Sequence, residues 1–257
     1  MSIATPTLDL NRVILAEGAA KLECLTNHLP TAGKVVFVVL PLYTLIFANG
    51  DLNDGPAVRA ALAAPGPRLV IAADGGLAAA ISFNVTPDVI IGDMDSADSD
   101  LLARARAKGA EVITFPAHKD ETDLELALLE ARRRGSRTIR VIGFYGGRLD
   151  QTLGNIYLLN LPALHDSDVR LVSHAQTTWL ARPGETLMNG QAGDTVSLLP
   201  LAGDASGIST QGLEYPLRGE TLSFGPARGI SNVMLVHDAR ITFKSGLLLV
   251  IHTIGRA

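Results

Sequence analysis

Cysteine is almost absent: Cys24 is the single one in 257 residues. No internal disulfide can form and no cluster of Cys and His has metal-ligand spacing, so a reducing, cytoplasmic setting is expected. Charge is sparse as well, at 19% of residues against 47% apolar, which excludes a disordered or coiled-coil chain. Positive charge is outnumbered, with 22 Lys+Arg against 26 Asp+Glu and a formal net charge of -4. A broad positive field for nucleic acid is therefore lacking, which leaves a small-molecule partner. Long apolar runs are lacking too. One stretch, Val35 to Ala48, covers 14 residues but contains Pro41 and falls short of the ~20 that a membrane-spanning helix needs. It reads as buried strand, and no secretory signal is visible near Met1.

What is present is a chain long enough for two domains. Short β-rich runs at Thr44 to Ala48, Leu69 to Ala73, Asp88 to Ile91, Glu111 to Thr114 and Ile139 to Ile142 alternate with helical patterns, the rhythm of a mostly parallel sheet covered by helices. Helices are expected from about Ser99 to Lys108, from Thr122, and from near Asp150 through Leu159. Thr122 opens a capping box with Glu125, and Arg132, Arg133 and Arg134 before Gly135 read as a helix end. After Leu161 short strands recur between Gly and Pro turns: Val169 to Val172, Thr177 to Ala181, Thr195 to Leu199 and Leu247 to Ile251. The expected division is 1–43 as an extension with a possible helix over 8–25, 44–161 as an α/β domain, and 162–257 as an all-β domain. Trp179 falls in an expected strand and is assigned to core packing.

The acids are unevenly distributed. Of 17 Asp, nine lie between Asp74 and Asp150, and nearly every expected strand ends in a loop holding acids or glycine: Ala-Asn-Gly-Asp at 48–51, Asp-Gly-Gly at 74–76, Gly-Asp-Met-Asp-Ser at 92–96, Lys-Asp-Glu-Thr-Asp at 119–123 and Gly-Gly-Arg-Leu-Asp at 146–150. In open α/β sheets the carboxyl ends of parallel strands share one edge, so these loops should converge. If 92–96 is extended, Asp93 and Asp95 point the same way. Like charges 4 Å apart repel by ~4 kcal/mol at an effective dielectric of about 20, so either the carboxyl pKa values rise or a metal enters. An oxygen-only ligand set favours magnesium carried with substrate phosphates. Gly75, Gly76, Gly146 and Gly147 would admit those phosphates to the backbone, and Lys119 and Arg148 supply compensating charge.

Taken together, the motifs at 73–76, 92–96, 119–125 and 146–151 resemble those of the thiamine pyrophosphokinase family in order and spacing. The resemblance runs from about Thr44 to the C-terminus and includes Gly212 to Leu217 and Gly229 to Asn232. It implies an N-terminal α/β catalytic domain, a C-terminal β-sandwich and a homodimer with active sites between subunits. The implied reaction converts thiamine and Mg-ATP to thiamine diphosphate and AMP.

By the same resemblance, Asp93, Asp95 and Asp120 would hold magnesium, with Asp74 close by and Asp123 a further candidate; one of these acids would take the thiamine proton. Lys119 and Arg148 would steady phosphate oxygens, with Gly75, Gly76, Ser96, Thr122 and Gln151 on the nucleotide side. Asp150 would orient Arg148 or a nucleotide hydroxyl, or simply cap its helix. Ser231 and Asn232, with Tyr215 stacking, would bind thiamine from the partner subunit. Gln151 stands where many bacterial members have histidine, which excludes a histidine base there, and Phe144 and Tyr145 replace smaller residues. The alternatives are a pyrophosphokinase acting on a pterin alcohol, a nucleotide-sugar transferase using Asp93 and Asp95, and a catalytically silent thiamine or nucleotide sensor.

Overall fold

A computed structural model describes residues 42–95 and 97–256. The helix expected over 8–25 and the candidate Ser96 lie outside the described residues. Six strands form a parallel set: β1 (Tyr43–Phe47), β2 (Arg68–Ala73), β3 (Val89–Gly92), β4 (Glu111–Thr114), β5 (Thr138–Ile142) and β6 (Asp168–Ser173). Their spatial order is β6-β5-β1-β2-β3-β4. The chain thus builds outward from β1 to β4 and then returns to place β5 on the other side of β1. This reversal makes the gap between β1 and β5 a topological switch point, where open α/β sheets bind ligands.

Both faces of the parallel set are covered, so β1 is buried along its whole length and shows no polar alternation. Ile46 and Ile71 pack with Leu124 and Leu128 of α4 (Asp123–Arg133). Leu45 and Phe47 face the other way, against Val58 of α1 (Pro56–Leu62) and Ala80 of α2 (Gly76–Ser82). Helices α3 (Ser99–Ala107) and α5 (Leu149–Tyr157) complete this part.

Local punctuation explains the limits of α4. The Thr122 hydroxyl accepts a hydrogen bond from the Glu125 N–H at 3.2 Å, satisfying one orphan donor of the first turn. The basic triplet closes the helix, as expected: Arg133 and Arg134 pair with Glu130, and Arg132 reaches Asp166 at 2.7 Å. Gly135 follows with φ 85°, a left-handed stop suited to glycine.

Beyond β6 the sheet continues. Strand β7 (Gln176–Ala181) pairs antiparallel with β6, and β14 (Leu248–Thr253), β9 (Thr195–Pro200) and the short β12 (Asn232–Val233) extend it to ten strands. A second sheet, ordered β11-β10-β13-β8, contains β8 (Gly184–Asn189), β10 (Ala205–Gln211), β11 (Arg218–Leu222) and β13 (Asp238–Phe243). Between the two lie Trp179, Met188, Leu198, Ile208, Phe243 and Val250. The chain is therefore an α/β unit with a mostly parallel sheet followed by an antiparallel sandwich. The texture change expected at 161/162 precedes the last parallel strand, because β6 pairs parallel with β5. Trp179 is core, and the Arg170 guanidinium lies 4.6 Å from its ring centroid.

Candidate active site

A cleft of about 620 Å³ opens at the carboxyl ends of β1, β2, β3 and β5. It spans the switch point, with Asn49 and Gly50 after β1 on one side and Gly143 and Phe144 after β5 on the other. Asp74, Asp93 and Asp123 each contribute a carboxylate oxygen, and these oxygens lie within 4.8 Å of one another. Asp74 follows β2, is 5% exposed and adopts a left-handed φ of 46°. Such a conformation is costly for a residue with a side chain and is characteristically kept at functional positions. Asp123 is the first residue of α4, where the helix dipole favours a negative charge.

Lys119 supplies the nearest positive charge: its Nζ is 3.1 Å from Asp123 Oδ1, and its side chain is 11% exposed. The Asp93 carboxylate accepts a hydrogen bond from the Asp95 N–H at 3.2 Å. That bond, aided by the field of Lys119, holds its carboxyl below the usual carboxylate range against the opposing effect of desolvation. Three carboxylates beside one ammonium leave a net negative site built from oxygen donors. Its donor chemistry fits a hard divalent cation such as magnesium.

The extended geometry expected for Asp93-Met94-Asp95 does not form. Met94 has φ 65°, so the chain reverses and Asp95 folds its N–H back onto Asp93. Asp95 still lines the cleft, as do Thr122, Arg148 and Gln151. Of the expected group of Asp93, Asp95 and Asp120, the first two stay together, and Asp74 and Asp123 rather than Asp120 bring their carboxylates to Asp93. Asp120 is exposed and is not among the cleft-lining residues. The reason is the start of α4, whose first residue, Asp123, brings its carboxylate into the cleft beside Lys119.

Gly75 and Gly76 also differ from expectation, since neither lines the cleft. A Cβ on Gly76 would collide with the Phe47 carbonyl oxygen, and one on Gly75 with the Asn49 side chain. Their role is to let α2 begin against the end of β1. Gly146 and Gly147 do line the cleft. Asp150 lies just inside α5, outside the cleft lining, and pairs with Arg148. This pair raises the Arg148 pKa and lowers that of Asp150, but both side chains are mostly exposed, so it adds little stability.

Tyr215, Ser231 and Asn232 are gathered in the sandwich. The Asn232 side chain accepts from the Tyr215 N–H at 3.0 Å and donates to the Tyr215 carbonyl at 2.7 Å. The Ser231 N–H donates to Ser197 Oγ at 3.1 Å. None of the three lines the cleft. Strand β12 is an edge of the ten-stranded sheet, five strand spacings from β5, or about 24 Å.

Asn49 and Asp51 of the strand-end loop at 48–51 line the cleft, as does Asn155, which sequence reasoning passed over. Asn155 Nδ2 donates to the Phe144 carbonyl at 2.7 Å, tying α5 to the loop after β5. A signal was available: Gln151, Thr152 and Asn155 form a polar i, i+1, i+4 face on a helix starting at a strand-end loop.

Comparison with known proteins brings two matches to family models. Residues 64–172 match "Thiamin pyrophosphokinase, catalytic domain", and residues 186–248 match "Thiamin pyrophosphokinase, vitamin B1 binding domain". The chain belongs to the thiamine pyrophosphokinase family. The thiamine pyrophosphokinase of Bacillus subtilis is 28% identical over 186 residues, 72% of this chain and 87% of that protein. Thiamine pyrophosphokinase 1 of Oryza sativa subsp. japonica is 27% identical over 187 residues, 65% of this chain and 67% of that protein. The crystal structure of the Bacillus subtilis protein superposes with a TM-score of 0.73 at 26% identity, covering 83% of this chain and 99% of that one. The yeast thiamin pyrophosphokinase structure, at 16% identity and a TM-score of 0.68 over 83% of this chain and 86% of that one, shares the fold. Among the described residues, no helix is long and apolar enough to cross a membrane.

Proposed function

We propose that this chain is a magnesium-dependent thiamine pyrophosphokinase that transfers the diphosphoryl group of ATP to the hydroxyl of thiamine, giving thiamine diphosphate and AMP. The observation that carries this reading is the convergence of Asp74, Asp93, Asp123 and Lys119 in one cleft at the switch point of a family member. In the reaction the thiamine oxygen bonds to the β-phosphorus, the bond from that phosphorus to the α,β-bridging oxygen breaks, and AMP departs with the electron pair. The hydroxyl proton passes to a cleft carboxylate.

Asp74, Asp93 and Asp123 would hold the metal, with Asp95 beside them. When bound, magnesium neutralises and orients phosphate oxygens. Lys119 brings a second positive charge to the same oxygens, and Arg148 at the cleft wall reaches the outer phosphate. Gly146 and Gly147 leave the backbone after β5 open to the nucleotide. Catalysis of this kind rests on positioning and charge neutralisation rather than covalent chemistry.

The distance from β12 to the cleft supports a homodimeric site in which Tyr215, Ser231 and Asn232 bind thiamine for the partner subunit. Exposed apolar side chains support the same arrangement. Leu149, Leu153 and Tyr157 follow one another at i, i+4 and i+8 on α5, and Tyr215, Ile230 and Leu235 stand out around β12. A second copy would cover these surfaces. The test is product analysis with Mg-ATP and thiamine. AMP and thiamine diphosphate are expected in equal amounts. Formation of ADP and thiamine monophosphate, or no product, would overturn the proposal.

A further inference from the structure

The sandwich contains a buried acid–imidazole pair away from the cleft. Asp194, 4% exposed, lies in the turn before β9, and His252, 9% exposed, lies on β14. Asp194 Oδ2 is 2.8 Å from His252 Nε2 and accepts the Gln191 N–H at 2.8 Å. Its other oxygen accepts the Gly255 N–H at 2.7 Å. One carboxylate therefore joins the turn at 190–194, strand β14 and the turn after β14. The turn is packed closely on the pair: a Cβ at Gly190 would stand 2.8 Å from His252 Nε2 and 2.9 Å from Asp194 Oδ2.

The backbone of the same turn carries the end of β12. The Met234 N–H donates to the Asp194 carbonyl, and the Gly193 N–H donates to the Met234 carbonyl, each at 2.8 Å. Strand β12 has only two residues in register with β9, so these two bonds form much of its attachment. From β12 the connection passes to the Tyr215 segment: the Glu214 N–H donates to the Val233 carbonyl at 2.9 Å, and Asn232 clasps both backbone groups of Tyr215. His252 lies outside the matched vitamin B1 binding segment of 186–248 yet anchors its edge strand.

We infer that His252 and Asp194 are positioning residues for thiamine: the buried pair sets the placement of β12 and thereby of Ser231, Asn232 and Tyr215. This rests on the reading of those three residues as the thiamine side of the site. Neither member of the pair needs to touch the ligand. A purely structural pair would, on removal, lower the melting temperature and the active fraction while leaving the thiamine KM unchanged. A positioning pair moves the thiamine KM in protein that is still folded.

The experiment compares His252→Leu, His252→Gln and Asp194→Asn in the full chain, with thermal melting as a control on folding. His252→Leu should raise the thiamine KM by about tenfold while the ATP KM and kcat stay within about threefold of wild type. His252→Gln keeps an N–H donor and should recover most of the difference. If His252→Leu fails to fold, Asp194→Asn carries the same expectation, because the amide keeps the shape and loses the charge. A thiamine KM within about twofold of wild type in a folded variant would overturn the inference. Asn232→Ala separates the two levels. Should it raise the thiamine KM where His252→Leu does not, only the positioning role falls; should it leave the KM unchanged, the reading of Asn232 falls and the inference with it.

Discussion

Lys119 Nζ sits 3.1 Å from Asp123 Oδ1, four residues on in the chain, and both line the acidic cleft. The cleft thus carries an internal cation beside the acids assigned to magnesium. Removing the charge while keeping the length, as in Lys119→Met, should lower kcat/KM for ATP by at least tenfold, about 1.4 kcal/mol of transition-state stabilisation. Steady-state kinetics with varied ATP would check this, with circular dichroism to establish that the variant is folded.

The choice between Asp120 and Asp123 separates the sequence expectation from the structure. Asp123→Asn should reduce kcat by at least about tenfold. Asp120→Asn, at an exposed position outside the cleft lining, should remain within about threefold of wild type. A large loss in Asp120→Asn with an unaffected Asp123→Asn would return the metal site to the sequence-based grouping. Parallel titration of magnesium into both variants supplies a second measurement.

Glu130 should make stability sensitive to acid. Its side chain is 8% exposed and pairs with Arg133 and Arg134. Hydrogen bonding from Arg133 leads in holding its carboxyl below the usual value of 4.5; burial opposes this, and Arg134 reinforces it. A depressed folded-state pKa gives stability that is present above the unfolded value and lost as pH falls through the folded one. Glu130→Gln should flatten the loss of stability below about pH 4.5, and the loss of charge-assisted hydrogen bonds should cost about 2 kcal/mol near neutrality. Urea unfolding at several pH values measures both effects.

The apolar stripe on α5 predicts a specific way to separate subunits. Leu153→Glu should convert a dimer to a monomer in light scattering at micromolar concentration, because a charge at the centre of a dry interface goes uncompensated. Thiamine-dependent turnover should fall with it if the site is shared between copies. A Leu153→Glu protein that remains dimeric would place the interface elsewhere.

Legibility in the sequence followed the physical strength of each signal. Strand β4 was read to the residue, and β1, β2, β3 and β5 within one; β1, β2 and β3 are buried almost throughout and read as short apolar runs, while β4 at the edge of the set is a β-branched run. Helix α4 was readable from Thr122 and Gly135. The two seven-residue helices α1 and α2 lack side-chain caps, so little announces them. Strand β10, Ala-Ser-Gly-Ile-Ser-Thr-Gln, has register shifts against β11, which blur its alternation. In the site, loop convergence was legible from topology alone. The left-handed Met94 was not, because local pattern gives no reason for a bulky residue to adopt φ 65°. The reversal still brings Asp95 onto Asp93, but by a tight turn rather than by an extended segment.

The parallel set and one layer of the sandwich share an unbroken ladder, β5 to β6 to β7 to β14. Rotating one half of the chain about the other would tear main-chain hydrogen bonds along β6 and β7, so the molecule has no hinge where its texture changes. It should behave mechanically as a single plate. Opening and closing around substrates must then come from the loops at the strand ends and from the fit of one copy against another, and inhibitors that wedge two halves apart would find no seam to enter.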